Sequence, residues 1–267
     1  MDARRFFDML WQDYTRLAPQ AESIRARFGG AAVINDHVAF RTFADSPIGI
    51  AQLEPVLFAL GYRRHAPYDF PDKHLHAWGY VHDDADLPLV FLSELQVQLL
   101  PMISRSIVQR AIAAIPADIE ATPRLFCAGR LWPAVSAAEY QQVADDSEYA
   151  GWLLAHGLHA NHFTIAVHRL QPPQSLVDVV AQVEAAGHAI NTAGGRIKGT
   201  PAELLEQAST LADRIPVAFA DGTLVVPSCY YEFALRHQDA NGQLYQGFVA
   251  ASASRIFEST DRPGLLS

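Results

Sequence analysis

Two short stretches of this chain, 125 residues apart, open alike. Asn35-Asp36-His37-Val38-Ala39-Phe40 is answered by Ala160-Asn161-His162-Phe163-Thr164-Ile165. Each reads as a strand that begins on a histidine, and each leads into an amphipathic helix. After the first, Ser46-Pro47 opens a helix over 48–60, with Ile50, Leu53, Val56, Leu57 and Leu60 on one stripe and Gly61 behind it. Pro55 falls inside that helix and is expected to kink it. After the second, Ser175 opens a helix over 176–186, with Val179, Val180 and Val183 on its stripe and Gly187 behind it. Further strand-like runs follow both helices. Internal repetition restricts the fold more than any single motif does. It implies two similar halves packed together, with their first strands side by side across a pseudo-twofold axis.

The remaining segments fit around this frame. In the first half, strands are expected over 62–68, 74–82 and 87–95, separated by Pro71-Asp72-Lys73 and Asp83-Asp84-Ala85-Asp86. In the second half, the pattern predicts a strand over 190–197 and a helix over 201–211. Strands over 215–219 and 223–235 then flank an Asp221-Gly222 turn. Two helices, over 3–16 and 21–27, precede the repeat and read as a lid or side wall. The 96–158 segment reads as a helical insertion with helices over 99–115 and 136–155, and Ser136 and Glu139 have the spacing of a capping box. A tail over 237–267 carries Tyr245, Phe248 and a short helix over 250–257. The expected fold is α+β, a single domain over 1–267. Helices occupy 1–33, a βαβββ module spans 34–95, the insertion follows, and a second module spans 159–236. The two modules form an open barrel around a metal site, with additional helices.

Composition narrows the partners. Of 267 residues, half are hydrophobic and 18% are charged, so a sizeable core is expected. The net charge is −9 with no basic run, which argues against nucleic acid and against an anionic membrane surface. Residues 89–100 are broken by Ser93, Glu94, Gln96 and Gln98, and no stretch has the length of a membrane span or a signal peptide. Cys127 and Cys229 are too few for a disulfide framework. These features lead us to expect a soluble, cytoplasmic protein. An acidic chain that binds an acidic small molecule needs a local positive group, so single arginines matter more than the total.

Side chains alternate along a strand, so His37, Ala39 and Arg41 share a face. Glu232 lies in the apolar run Tyr230-Tyr231-Glu232-Phe233, and a buried carboxylate needs a partner, a metal or a proton. With His37 and His162 it makes two imidazoles and one carboxylate, a set that suits non-haem Fe(II) oxygenases when open positions remain. His159 competes with His162, but three residues apart on a strand they face opposite ways, and the repeat selects His162. Glu94, at the end of the corresponding strand of the first module, competes with Glu232 or adds a fourth ligand. His74 and His76 share a strand face and are candidates to line the cavity and bind substrate. Lys198 is a candidate for a second substrate carboxylate, with a solvated lysine as the plainer reading. There is no phosphate loop, dinucleotide fingerprint or Gly-x-Ser-x-Gly motif.

Asp36-His37-Val38-Ala39-Phe40-Arg41, Asn161-His162, Tyr230-Tyr231-Glu232-Phe233 and the tail Gly247-Phe248…Ile256-Phe257-Glu258-Ser259-Thr260 resemble the metal-dependent 2-oxoadipate dioxygenase/decarboxylase family of the vicinal oxygen chelate superfamily. The resemblance covers most of the chain. It implies Fe(2+) held by His37, His162 and Glu232, with Arg41 gripping a substrate carboxylate through a bidentate guanidinium pair. It implies a small 2-oxo acid substrate, 2-oxoadipate, consumed with O2 to give D-2-hydroxyglutarate and CO2, and with that a place in lysine catabolism. Two other readings stay open on the sequence. One is a metal-dependent lyase or isomerase of the same superfamily, and the other is a non-catalytic small-molecule binding protein.

Overall fold

In the computed structural model of the protein, which describes residues 1–260, the two repeated stretches lie side by side. The elements run in chain order. Helices α1 (Ala3–Leu17) and α2 (Gln20–Arg27) come first. Then follow β1 (Asn35–Phe43), α3 (Ile50–Ala59), β2 (Arg63–Phe70), β3 (Leu75–Val81) and β4 (Leu89–Leu95). The insertion holds α4 (Met102–Ala113), α5 (Ala137–Asp146) and α6 (Glu148–His156). The second half holds β5 (Ala160–Ala166), α7 (Leu176–Ala185), β6 (Lys198–Thr200), β7 (Leu205–Ser209), β8 (Arg214–Phe219), β9 (Gly222–Pro227) and β10 (Tyr230–Arg236), and α8 (Ala250–Phe257) follows.

One eight-stranded sheet runs β2-β3-β4-β1-β5-β10-β7-β6 and curls into an open half-barrel. β1 and β5 pair antiparallel at its centre. Each has a parallel neighbour on its outer side, β4 beside β1 and β10 beside β5. Outward from the centre, the first half therefore reads β1-β4-β3-β2 and the second β5-β10-β7-β6, so the two modules share one topology. The β8–β9 hairpin forms its own two-stranded sheet between β7 and β10 in the chain.

The central strands are buried on both faces. The outer face packs on the N-terminal helices and on the Pro123–Cys127 turn. Phe163 of β5 meets Trp11 at 5.2 Å and Tyr14 at 5.0 Å, while Phe40 of β1 meets Phe126 at 4.9 Å. Phe163 alternates with His162 and Thr164, so α1 backs the sheet on the side away from the histidines. It is a wall and not a lid. The capping box at Ser136 and Glu139 forms, but the expected 136–155 helix is two helices. Ser147 is extended, with φ −155 and ψ 105, and caps α6 through its side chain. Gly157 then turns the chain into β5. Its φ is +77 and a Cβ there would sit 2.1 Å from the Gly129 carbonyl carbon, so only glycine fits.

The second half departs from the sequence pattern at its small strands. Within 190–197 only Ile190 forms a bridge, to Thr210, and the outer strand is Lys198–Thr200. The 201–211 stretch is a single 3-10 turn, Pro201–Glu203, followed by strand β7. Pro-Ala-Glu-Leu-Leu-Glu-Gln suits a helix by local preference, yet pairing with β10 prevails, and Leu204 takes φ +63 to turn the chain into the sheet. The expected 223–235 strand is interrupted at Ser228-Cys229, which separates the hairpin strand β9 from the sheet strand β10. Pro55 stays inside α3, and Gly49, not Ser46, is that helix's N-cap. Residues 261–267 of the expected tail lie outside the described residues.

Candidate metal centre

His37, His162 and Glu232 come from three adjacent strands, β1, β5 and β10. Strand alternation turns all three onto the concave face. Their ligand atoms all lie within 4.8 Å of one another. The two Nε2 atoms are 3.4 Å apart, with Glu232 Oε2 3.2 Å from His162 Nε2 and Oε1 3.5 Å from His37 Nε2. All three side chains are buried.

The surroundings fix which atoms face inward. The His37 Nδ1 atom lies 2.7 Å from Asp36 Oδ1, so Nδ1 carries the proton and Nε2 presents a lone pair. Asp36 is held in turn by Arg236 from β10, with Nε donating to Oδ2 at 2.7 Å and a terminal nitrogen donating to Oδ1 at 2.8 Å. Arg236 also donates to the carbonyls of Tyr245 and Gly247. His162 Nδ1 lies 3.1 Å from Asn161 Oδ1, and the Tyr230 ring stacks on His162 at 4.6 Å. Gln207 of β7 donates to Glu232 Oε1 at 2.6 Å, while Oε2 is buried and accepts no hydrogen bond. Two lone pairs and a carboxylate converge with one oxygen orphaned, and a divalent cation satisfies them together. The donor set therefore fits a metal ion.

The two histidines sit in different electrostatic surroundings. Burial opposes a charge on His37, but Glu232 and Asp36 outweigh it and raise its pKa. Burial and the neighbouring charges of His37 and Arg41 push His162 well below the usual histidine range. Burial also opposes the Asp36 charge, yet Arg236 and His37 hold its carboxyl well below the ordinary range. Asp36 thus remains an anion that orients His37.

The repeat shows why the set stops at three. On the parallel pairs, His37 lies opposite Leu89 and His162 opposite Tyr230, so two residues further on Phe91 stands where Glu232 stands in the other half. Glu94 does not take that place. It lies opposite Thr42 and His76 on the other face, where it accepts the Ile50 amide at 2.9 Å at the start of α3. His76 shares that outer face and pairs with Asp69 at 2.8 Å. His74 precedes β3 in a left-handed conformation, φ +57. Neither lines the cavity beside the three ligands. That cavity is bounded by Phe91, Gln207, Phe248, Ala253, Ile256 and Phe257, so α8 roofs it. His159 points instead to Asp13 at 2.5 Å.

Arg41 is 1% exposed and bound at both terminal nitrogens, to Glu148 Oε1 at 2.6 Å and to Thr260 Oγ1 at 3.1 Å, while its Nε has no partner. Tyr149 and Trp152 of α6 flank its guanidinium. Lys198 is not solvated. It is 4% exposed, with Nζ donating to the Asn191 carbonyl at 2.6 Å, and burial lowers its pKa to about 8. Asp36, Asn161, Gln207, Arg236 and Phe91 support the site but were not singled out on the sequence. The polar residue directly before each repeated histidine was the available signal for the first two.

A duplicated βαβββ sheet with two imidazoles and one carboxylate on its concave face defines an open-barrel fold with a candidate metal site. Comparison with known proteins narrows this. The 2-oxoadipate dioxygenase/decarboxylase family matches residues 13–243, and the chain belongs to that family. It is 34% identical, over 84% of its length and 67% of the relative's, to the chloroplastic 2-oxoadipate dioxygenase/decarboxylase of Arabidopsis thaliana. Among solved structures, a Shewanella frigidimarina protein described as a hydrolase superposes with a TM-score of 0.88 at 39% identity, covering 93% of this chain and 98% of the other. The hydroxyglutarate synthase of Oryza sativa in complex with 2-oxoadipate superposes with a TM-score of 0.86 at 32% identity, covering 97% and 93%.

Proposed function

We propose that this chain is an Fe(II)-dependent dioxygenase/decarboxylase that converts 2-oxoadipate and O2 into D-2-hydroxyglutarate and CO2. The observation that carries the oxygen-dependent reading is Phe91. An apolar residue at the repeat-related position limits the candidate ligands to three, which would leave a bound ion with positions for substrate and O2. Family membership and the 2-oxoadipate complex of the rice relative support the substrate. Bound Fe(II) would supply chelation of the 2-oxo acid and activation of O2.

The protein's own groups do the rest. Asp36 keeps the Nδ1 proton on His37, so the Nε2 lone pair stays aimed at the ion. Phe91, Phe248, Ile256 and Phe257 keep bulk water from the cavity. Arg41 grips the carboxylate remote from the keto group, which takes over the bonds that Glu148 and Thr260 make to the guanidinium. Glu148, half-buried at the start of α6, is the carboxylate that the substrate would displace. The composition supports a cytoplasmic setting, and among the described residues no helix is long and apolar enough to cross a membrane.

The test is oxygen uptake by iron-reconstituted protein across 2-oxo acids of graded length. The expected result is equal O2 consumed and CO2 released, greatest with 2-oxoadipate. Turnover without O2 would support the lyase or isomerase reading instead. Protein that retains no metal and turns nothing over would support the binding-protein reading. Arg41→Ala should weaken 2-oxoadipate binding and leave iron in place.

A further inference from the structure

We propose that Lys198 is a substrate-binding residue that meets the carboxylate at the 2-oxo end of the substrate, leaving Arg41 for the far carboxylate; this rests on the dioxygenase reading above. A buried ammonium without an anionic partner is costly, and such groups are found paired. Lys198 is 4% exposed, yet its hydrogen bond goes to a neutral carbonyl, that of Asn191. Among the described residues no carboxylate comes within 4.0 Å of it. Two of its three donors are left for a ligand.

Its place in the sheet is on the face that carries the candidate metal centre. Lys198 pairs with Gln207 across β6 and β7, so both side chains rise on the concave face. Gln207 lines the cavity and holds Glu232 Oε1 at 2.6 Å. The lysine is thus one strand beyond a residue that touches a metal ligand, and Glu232 and Glu258 both act on its charge. Gly199 fixes the approach. Its φ is +78, and a Cβ there would meet the Leu205 carbonyl oxygen at 2.2 Å and Ser252 Oγ of α8 at 3.3 Å. Glycine lets β6 tuck beneath α8, the helix that roofs the cavity. Arg41 sits on the other side, four residues along β1 from His37, which is about 13 Å of strand. Two cations flanking the three ligands match the two ends of a dicarboxylic 2-oxo acid.

The experiment is anaerobic calorimetric titration of Fe(II)-loaded protein with 2-oxoadipate and with 2-oxohexanoate, which keeps the 2-oxo acid end and lacks the far carboxylate. Lys198→Met should raise Kd for both acids by about 10-fold or more, the worth of a charged hydrogen bond. Arg41→Met should raise Kd for 2-oxoadipate alone. Lys198→Arg should restore part of the affinity and guards against loss of fold in the Met variant. Iron per chain should be unchanged in all three. The proposal is overturned if Lys198→Met leaves both constants within about twofold, if it weakens 2-oxoadipate only, or if it strips iron, since the lysine would then act through Glu232. Wild-type protein that binds neither acid would overturn the dioxygenase reading and this assignment together. Wild-type binding with an indifferent Lys198 would overturn this assignment alone.

Discussion

The two halves of the sheet share a topology but not a chemistry. In the first, His37 is backed by a carboxylate, Asp36, which is locked to Arg236 across the molecule. In the second, His162 is backed by the neutral Asn161 and stacked on Tyr230. The first half offers Phe91 where the second offers Glu232. A duplicated scaffold supplies the convergence, and departures from the duplication leave three candidate ligands. Full symmetry would place two carboxylates and two histidines on the ion and leave less room for a chelating acid and oxygen.

Substitutions that remove or restore this asymmetry should differ in size. The largest effect is expected from Glu232→Ala, which takes away the carboxylate of the proposed ligand set. Metal analysis should find little iron retained, while His37 and His162 still fold into place. Retained iron would mean that the carboxylate is not a ligand. Phe91→Glu runs the other way and makes the halves alike. Iron should be kept or bound more tightly, and O2 uptake with 2-oxoadipate should collapse. Unchanged uptake would show that the open positions lie elsewhere. Asp36→Asn should cost about 10–100-fold in iron affinity, the usual size for the residue behind a ligand. It also leaves Arg236 buried and short of its partner, for about 3–5 kcal/mol of stability read by denaturant unfolding. Asn161→Ala should be the mildest, with an iron affinity loss below that of Asp36→Asn and little change in unfolding. If the two matched, the charge behind His37 would have no special role.

Much of the frame could be read from the residues. Asn35-Asp36-His37 and Asn161-His162 gave away the paired central strands, and the capped stripes after them gave α3 and α7. His37, His162 and Glu232 meet because alternation fixes a face and the repeat fixes a neighbour. What eluded the pattern was set by tertiary partners. Leu204 and Leu205 look helical until β10 offers them hydrogen bonds. His76 alternates correctly with Trp78 and Tyr80, but nothing local tells which face of β3 curves inward. Glu94 has the chemistry of a ligand and is used to receive an amide at the start of α3. Lys198 reads as solvated because the segment around it is polar, and only the tight passage of Gly199 under α8 buries it.

The roof over the cavity comes from far along the polypeptide. Ala253, Ile256 and Phe257 close one side, and Thr260 reaches Arg41. Trimming the protein near residue 249 should therefore leave the cavity open to solvent and Arg41 short of one of its bonds.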